Sequence, residues 1–241
     1  MTTWTPRALA SEARLYAQTL WRVVEAQHTA STMRLTDSLE EQSILEAVLE
    51  ESKPPLPSAV RRLHYLLATP YRYRPHAGSR FRAALEPGVW YGAEELRTAL
   101  AEKSYWRLRF LLDSPATPDQ KPVPHTVFQA AVRSRAALDL TRAPFVRERA
   151  AWTHRSDYRD TQSFATIARA AHIELIRYES VRDPEHAACA AVLDPLAFGR
   201  GKPHGLETWF IAAARSRVRC AVQGSDVPQF EFAALQLLGE E

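Results

Sequence analysis

The chain opens on a helical spacing of apolar positions. Over Ser11 to Val24, Ala13, Tyr16, Ala17, Leu20, Val23 and Val24 recur at i, i+3, i+4 and i+7, the stripe that an amphipathic helix buries. A second helix is expected after Asp37-Ser-Leu-Glu-Glu, which offers a cap, and it carries Ile44, Leu45, Val48 and Leu49. Lys53-Pro-Pro-Leu-Pro57 ends it, because each proline removes a donor and fixes φ. A short helix over Ala59 to Leu67 follows, so residues 1–68 read as a helical extension and 69–241 as the main domain.

From Thr69 the texture changes. Pro70, Pro75, Gly78, Pro87 and Gly88 punctuate a loop-rich stretch with short strands around Arg80–Arg82 and Val89–Tyr91. Ala93 to Leu112 reads as a helix, and four prolines between 115 and 124 mark a break. Strands are expected at His125–Val132, Ala136–Leu140, Ile173–Tyr178 and Ala188–Leu193, with an amphipathic helix over Asp160–Ala171. A Gly-rich loop at 198–205 precedes a hairpin of Glu207–Ala214 and Val218–Val222. Helices and strands do not alternate regularly, which favours α+β over a repeated βαβ unit.

At 241 residues, 46% hydrophobic and 24% charged, the chain can bury a core without staples, which excludes a disordered tail or a disulfide miniprotein. The net charge of +3 is too mild to argue a nucleic-acid surface, and the basic residues form no stripe. Two cysteines, Cys189 and Cys220, make no disulfide framework, and no apolar run reaches 18 residues. With no leader-like apolar stretch at the N-terminus, a cytoplasmic protein is the expectation. The eight histidines (28, 64, 76, 125, 154, 172, 186 and 204) are scattered, with no HxxxH or CxxC, so no metal site is expected. Gly199-Arg-Gly-Lys-Pro-His-Gly205 fits neither phosphate-loop pattern and reads as a surface turn.

Three positions stand at equal intervals of eleven: Arg80 after a glycine turn, Tyr91 at the end of Gly88-Val-Trp-Tyr91, and Glu102 inside Ala99-Leu-Ala-Glu102. Further on come Asp157-Tyr158, Thr161-Gln162, Ala165 and Ile176-Arg-Tyr-Glu-Ser180-Val-Arg-Asp-Pro184. Taken in order over residues 70–222, this set resembles the RES domain family, named for an arginine, a glutamate and a serine.

The resemblance implies an enzyme that cleaves the nicotinamide–ribose bond of NAD+, by phosphorolysis or hydrolysis. It implies a bacterial toxin held inactive by a helix-turn-helix antitoxin. It also implies a mixed, split sheet ringed by helices, similar to ADP-ribosyltransferases. NAD+ then enters as substrate and inorganic phosphate as an optional co-substrate, with no cofactor. No membrane and no direct nucleic-acid partner is expected, while homo-oligomerisation is left open. Two departures stand out: about seventy residues precede the motif region, and Gly78-Ser79 replaces the family's double glycine.

On this resemblance Glu102 is the carboxylate that stabilises positive charge on the ribose as the glycosidic bond breaks. Arg80 is the guanidinium for an anion, with Arg72 and Arg82 close in sequence. Tyr91 or Tyr73 would lay an aromatic face on the cationic nicotinamide; Tyr71 competes with Tyr73. Ser180 would bond a phosphate or ribose oxygen, and Gln162 would orient the site. Mono-ADP-ribosyltransfer to a macromolecule and a non-catalytic nucleotide- or partner-binding module are the competing functions.

Overall fold

The computed structural model describes residues 3–26 and 35–239; His28 lies outside them. A mixed eight-stranded sheet is surrounded by seven helices among those residues. In chain order the elements are α1 (Pro6–Ser11), β1 (Arg14–Glu25), α2 (Leu39–Glu51), α3 (Tyr65–Arg72), β2 (Trp90–Ala93) and α4 (Leu96–Leu112). Then come β3 (Gln120–Asp139), α5 (Arg149–Trp152), α6 (Arg159–Ala170), β4 (Leu175–Glu179) and β5 (Ala188–Val192). The chain ends with β6 (His204–Ala214), β7 (Arg217–Val222), β8 (Phe230–Ala233) and α7 (Ala234–Leu238). The class is α+β, as expected.

The strand order is β1-β2-β5-β4-β3-β6-β7-β8, and β1 also pairs with β3. The first five strands therefore curl into a closed ring, with β6, β7 and β8 continuing beyond it. The sheet forks along one edge of β3. Its start pairs antiparallel with β6 and its end, Ala137–Asp139, pairs parallel with β4. Between the two, the edge is met by Phe198 opposite Val132, with Gly199 N–H donating to the Ala131 carbonyl at 3.0 Å.

The helix expected over Ser11–Val24 is corrected: residues 14–25 form β1, paired residue for residue with β3 from Tyr16↔Ser134 to Glu25↔His125. The strand is apolar on both faces. Tyr16, Leu20 and Val24 enter one cluster with Trp90 and Phe128, while Trp21 and Val23 face the clusters on the other side. Apolar residues at both parities mimic the helical stripe, and 16, 20 and 24, spaced by four, share one face of a helix and one face of a strand alike. The N-terminal segment is thus not wholly helical; it supplies a strand of the main sheet.

The two strands expected at 125–132 and 136–140 are one, β3, and it begins inside the stretch read as a proline break. Pro124 directs its carbonyl toward the β1 edge, where it accepts from Ala26 N–H at 3.0 Å. Its nitrogen faces the same edge without a hydrogen, so at the very end of β1 this pair keeps one ladder bond and forgoes the other. The turn at Arg80–Arg82 is a Ser79↔Arg82 bridge rather than a strand, and the helix expected at 59–67 falls at Tyr65–Arg72 instead. Ser38 caps α2, as its sequence suggests.

One buried group makes stability depend on pH. His125 on β3 is fully buried; its Nδ1 sits 2.8 Å from the Val123 carbonyl and its Nε2 has no partner. Burial pushes this imidazole down to about 4, helped by Lys103 and Arg107 nearby. In the unfolded chain it titrates near the model-peptide value of about 6.5. Above that pH both states are neutral. As pH falls from about 6.5 to 4 the unfolded state takes the proton first, so up to about 3 kcal/mol of stability is lost. Urea midpoints measured from pH 7 to 4 should fall more steeply for the wild type than for His125→Asn. Parallel curves would show that His125 protonates freely in the folded state.

Candidate functional site

Arg80 sits at the corner of a tight turn. Ser79 N–H donates to the Arg82 carbonyl at 2.8 Å and Arg82 N–H to that of Ser79 at 3.2 Å, leaving two residues to make the reversal. Phe81 drops into the core against Tyr178, ring centroids 4.8 Å apart, and Arg80 beside it is largely buried as well. Gln162 on α6 holds the turn from behind by donating Nε2–H to the Ser79 carbonyl at 3.0 Å. A Cβ on Gly78 would stand 2.6 Å from that same Nε2, so a side chain there would displace Gln162 from the turn. The Arg80 guanidinium donates to the carbonyls of Trp152 and His154 at 2.9 and 3.0 Å and lies 4.7 Å over the Tyr158 ring.

Tyr91 comes from β2, opposite Ala191 of β5. Its hydroxyl lies 2.8 Å from Ser79 Oγ and accepts from Phe81 N–H at 3.0 Å, which fixes the ring to the Arg80 turn. Burial raises its pKa, so the phenol stays protonated and is no base at neutral pH.

Glu102 is mounted on α4. Thr98, Ala99, Leu100, Ala101, Ser104, Leu108 and Leu111 bury that helix, leaving Glu102 half-buried. Fully buried Ser180, just past β4, donates Oγ–H to Glu102 Oε1 at 2.7 Å. Ser180 Oγ itself accepts from the N–H groups of Arg182 and Asp183 at 3.2 and 3.1 Å. Ser180 is therefore a turn residue and a clamp on the carboxylate at once.

These side chains converge: Arg80, Tyr91 and Glu102 line one cavity of about 200 Å³. Among the described residues, four cations line it, Arg22, Arg80, Lys103 and Arg182, and Glu102 is the sole carboxylate on its wall. None of the four forms an ion pair with a carboxylate among the described residues. Arg182 is buried, 3.6 Å from the Tyr105 ring centroid, and donates to the Arg155 carbonyl. Burial lowers the Lys103 pKa and pushes the Arg22 guanidinium down to about 10, still charged at neutral pH. Cations held this way favour an anion as the missing partner. Trp106, one turn after Glu102 and more than half exposed, stands at the mouth.

The remaining sequence candidates lie elsewhere. Ser180 and Gln162 stand behind Glu102 and the Arg80 turn. Tyr73 and Arg82 border a second cavity of about 360 Å³. The Arg82 guanidinium is spent on the carbonyls of Pro75, Ala77 and Ala83. Arg72 borders neither cavity: it pairs with Glu50 at 2.6 Å and ties the end of α3 to α2.

The sequence reading left Arg22 and Lys103 aside and gave Tyr158 and Arg182, both inside the motif, no role. Arg22 is the instructive omission. On a helix it would be one more solvated cation, whereas on β1 it points between two cavities, 5.0 Å from the Trp90 ring centroid, with Nη1 donating to the Tyr91 carbonyl at 2.8 Å. The signal was present as a lone arginine inside an apolar run, Leu20-Trp-Arg-Val-Val24.

A family model described as RES domain matches residues 56–211. The chain belongs to the RES domain family. Arg80, Tyr91, Glu102 and Ser180 all fall inside the matched segment, while β1 and Arg22 precede it. Among solved structures, the RES chain is similar to one in the crystal structure of the M.tuberculosis MbcT-MbcA toxin-antitoxin complex. That similarity has a TM-score of 0.49 at 13% identity, over 87% of this chain and 92% of that one. No curated protein matches the sequence. Among the described residues, no helix is long and apolar enough to cross a membrane.

Proposed function

We propose that this RES domain protein cleaves the nicotinamide–ribose bond of NAD+, passes the ADP-ribosyl group to inorganic phosphate or water, and acts as the toxin of a toxin–antitoxin pair. The observation that carries the catalytic part is the lone carboxylate of Glu102, clamped by Ser180 at 2.7 Å, on a cavity wall whose other charged groups are all cations.

Each part of NAD+ has a counterpart there. The pyrophosphate is a dianion, and guanidinium groups without carboxylate partners suit it. The nicotinamide nitrogen carries a positive charge while bonded to ribose, so heterolysis releases a neutral ring and needs no proton donor. Positive charge moves instead onto the ribose C1 and ring oxygen. A fixed carboxylate beside them stabilises that charge more in the transition state than in the ground state. Phosphate or water then forms the new C1–O bond and gives up a proton, completing the exchange. The aromatic ring of Tyr91, pinned through its hydroxyl, offers the departing heterocycle a flat face.

Product analysis by mass spectrometry tests this. Purified protein and NAD+ should yield free nicotinamide, with ADP-ribose-1″-phosphate when phosphate is present or ADP-ribose when water is the acceptor. Nicotinamide release that requires an added macromolecule would assign ADP-ribosyltransfer instead, and no release under any condition would end the enzymatic proposal. Growth arrest on expression, relieved by a co-expressed helix-turn-helix protein encoded beside it, is the expected cellular result.

A further inference from the structure

The second cavity, about 360 Å³, adjoins the first: Arg22, Ser79 and Tyr91 line both. We propose that it seats the adenosine half of the dinucleotide, so that Arg22 meets the pyrophosphate between two chambers. This rests on reading the cavity around Glu102 as the nicotinamide–ribose site.

The chemistry of the walls runs in the order of the ligand. The chamber around Glu102 has room for one nucleoside-sized group and the second chamber for another; together they fall within the roughly 300–1,000 Å³ usual for ligand sites. The charge shared by both is Arg22, whose Nε is buried without a partner. The rest of the second chamber's lining is mainly apolar and aromatic, with Val24, Leu66, Val89, Tyr65 and Tyr73 beside the hydroxyls of Thr69 and Ser79. Its other cation, Arg82, directs Nη1 and Nη2 at the loop carbonyls of Pro75, Ala77 and Ala83. A purine presents apolar faces that aromatic side chains stack on.

The chamber is built by α3, and α3 is held close. A Cβ on Gly88 would lie 1.7 Å from the Pro70 carbonyl oxygen, so only glycine lets the two backbones meet. Trp90 Nε1–H donates to the Leu66 carbonyl at 3.3 Å, and Tyr71 Oη–H to that of Val192 at 3.0 Å. The aromatic wall is thus fixed relative to β2 before any ligand arrives.

Two variants test the chamber: Tyr73→Ala removes a stacking face, and Thr69→Trp fills the space from α3. Nicotinamide release is measured from NAD+ and from nicotinamide mononucleotide, which lacks the adenylate half, alongside calorimetric binding of ADP. The ratio of kcat/KM for NAD+ over the mononucleotide should fall roughly tenfold in both variants, as expected for loss of a base stack, with a matching loss of ADP affinity. An unchanged ratio in both variants overturns the proposal. A wild type that binds ADP, loses it in both variants and yet releases no nicotinamide would keep the chamber and reject the cleavage reaction. A wild type that releases nicotinamide but never binds ADP would do the reverse.

Discussion

Replacing Glu102 by glutamine should lower kcat for nicotinamide release from NAD+ by at least about 10²-fold, in line with removal of one preorganised transition-state stabiliser. The exchange keeps the shape and the contact with Ser180 Oγ while removing the charge. Glu102 is half-buried and makes no ion pair among the described residues, so the folded state loses little; thermal unfolding should move by no more than a degree or two. KM for NAD+ should barely change, because the carboxylate faces a charge that develops only as the bond breaks. A variant with full kcat would remove Glu102 from the chemistry. A variant with normal kcat and raised KM would make it a ground-state contact.

Arg22→Met should separate binding from stability. A guanidinium buried without a carboxylate is a cost to the empty protein; the fall of its pKa to about 10 corresponds to roughly 3 kcal/mol. Losing its 2.8 Å hydrogen bond to the Tyr91 carbonyl returns about 1–2 kcal/mol of that. The ligand-free variant should therefore be more stable than the wild type by about 1–2 kcal/mol. With NAD+ the sign reverses, because truncating one side of a desolvated ion pair costs about 2 kcal/mol or more. KM should rise about 30-fold or more. Urea unfolding of the ligand-free proteins, paired with initial-rate kinetics, reads both effects. A variant that is less stable and binds NAD+ normally would make Arg22 a scaffold residue.

Much of the site was legible from the order of residues alone. Arg80, Tyr91 and Glu102 were singled out by spacing and resemblance, and they meet at one cavity although they come from a turn, a strand and a helix. α2, α4, α6 and the β6–β7 hairpin fall close to where periodicity, caps and turn residues put them, because each has one buried face or a clear stop. β1 was illegible for the opposite reason. Only Tyr16 and Leu20 of β1 are buried, while Trp21–Val24 are half-buried on both faces, so the strand carries no clean alternation and its apolar spacing satisfies the helical template by coincidence. That error hid Arg22, whose meaning depends on the face it occupies. Arg72 and Arg82 could not be told from ligand-binding arginines by sequence, since their partners, Glu50 and three loop carbonyls, are set by the path of the chain. The placement of Tyr73 in the second chamber rather than beside Glu102 is likewise tertiary information, fixed by the contact of Gly88 with Pro70.

The most direct measurement is a crystal structure of the Glu102→Gln variant soaked with intact NAD+. The nicotinamide ribose should lie with C1 facing the side chain at position 102 and the pyrophosphate against Arg22 and Arg80. A dinucleotide bound elsewhere on the molecule, or one whose ribose faces away from position 102, would contradict the proposed chemistry.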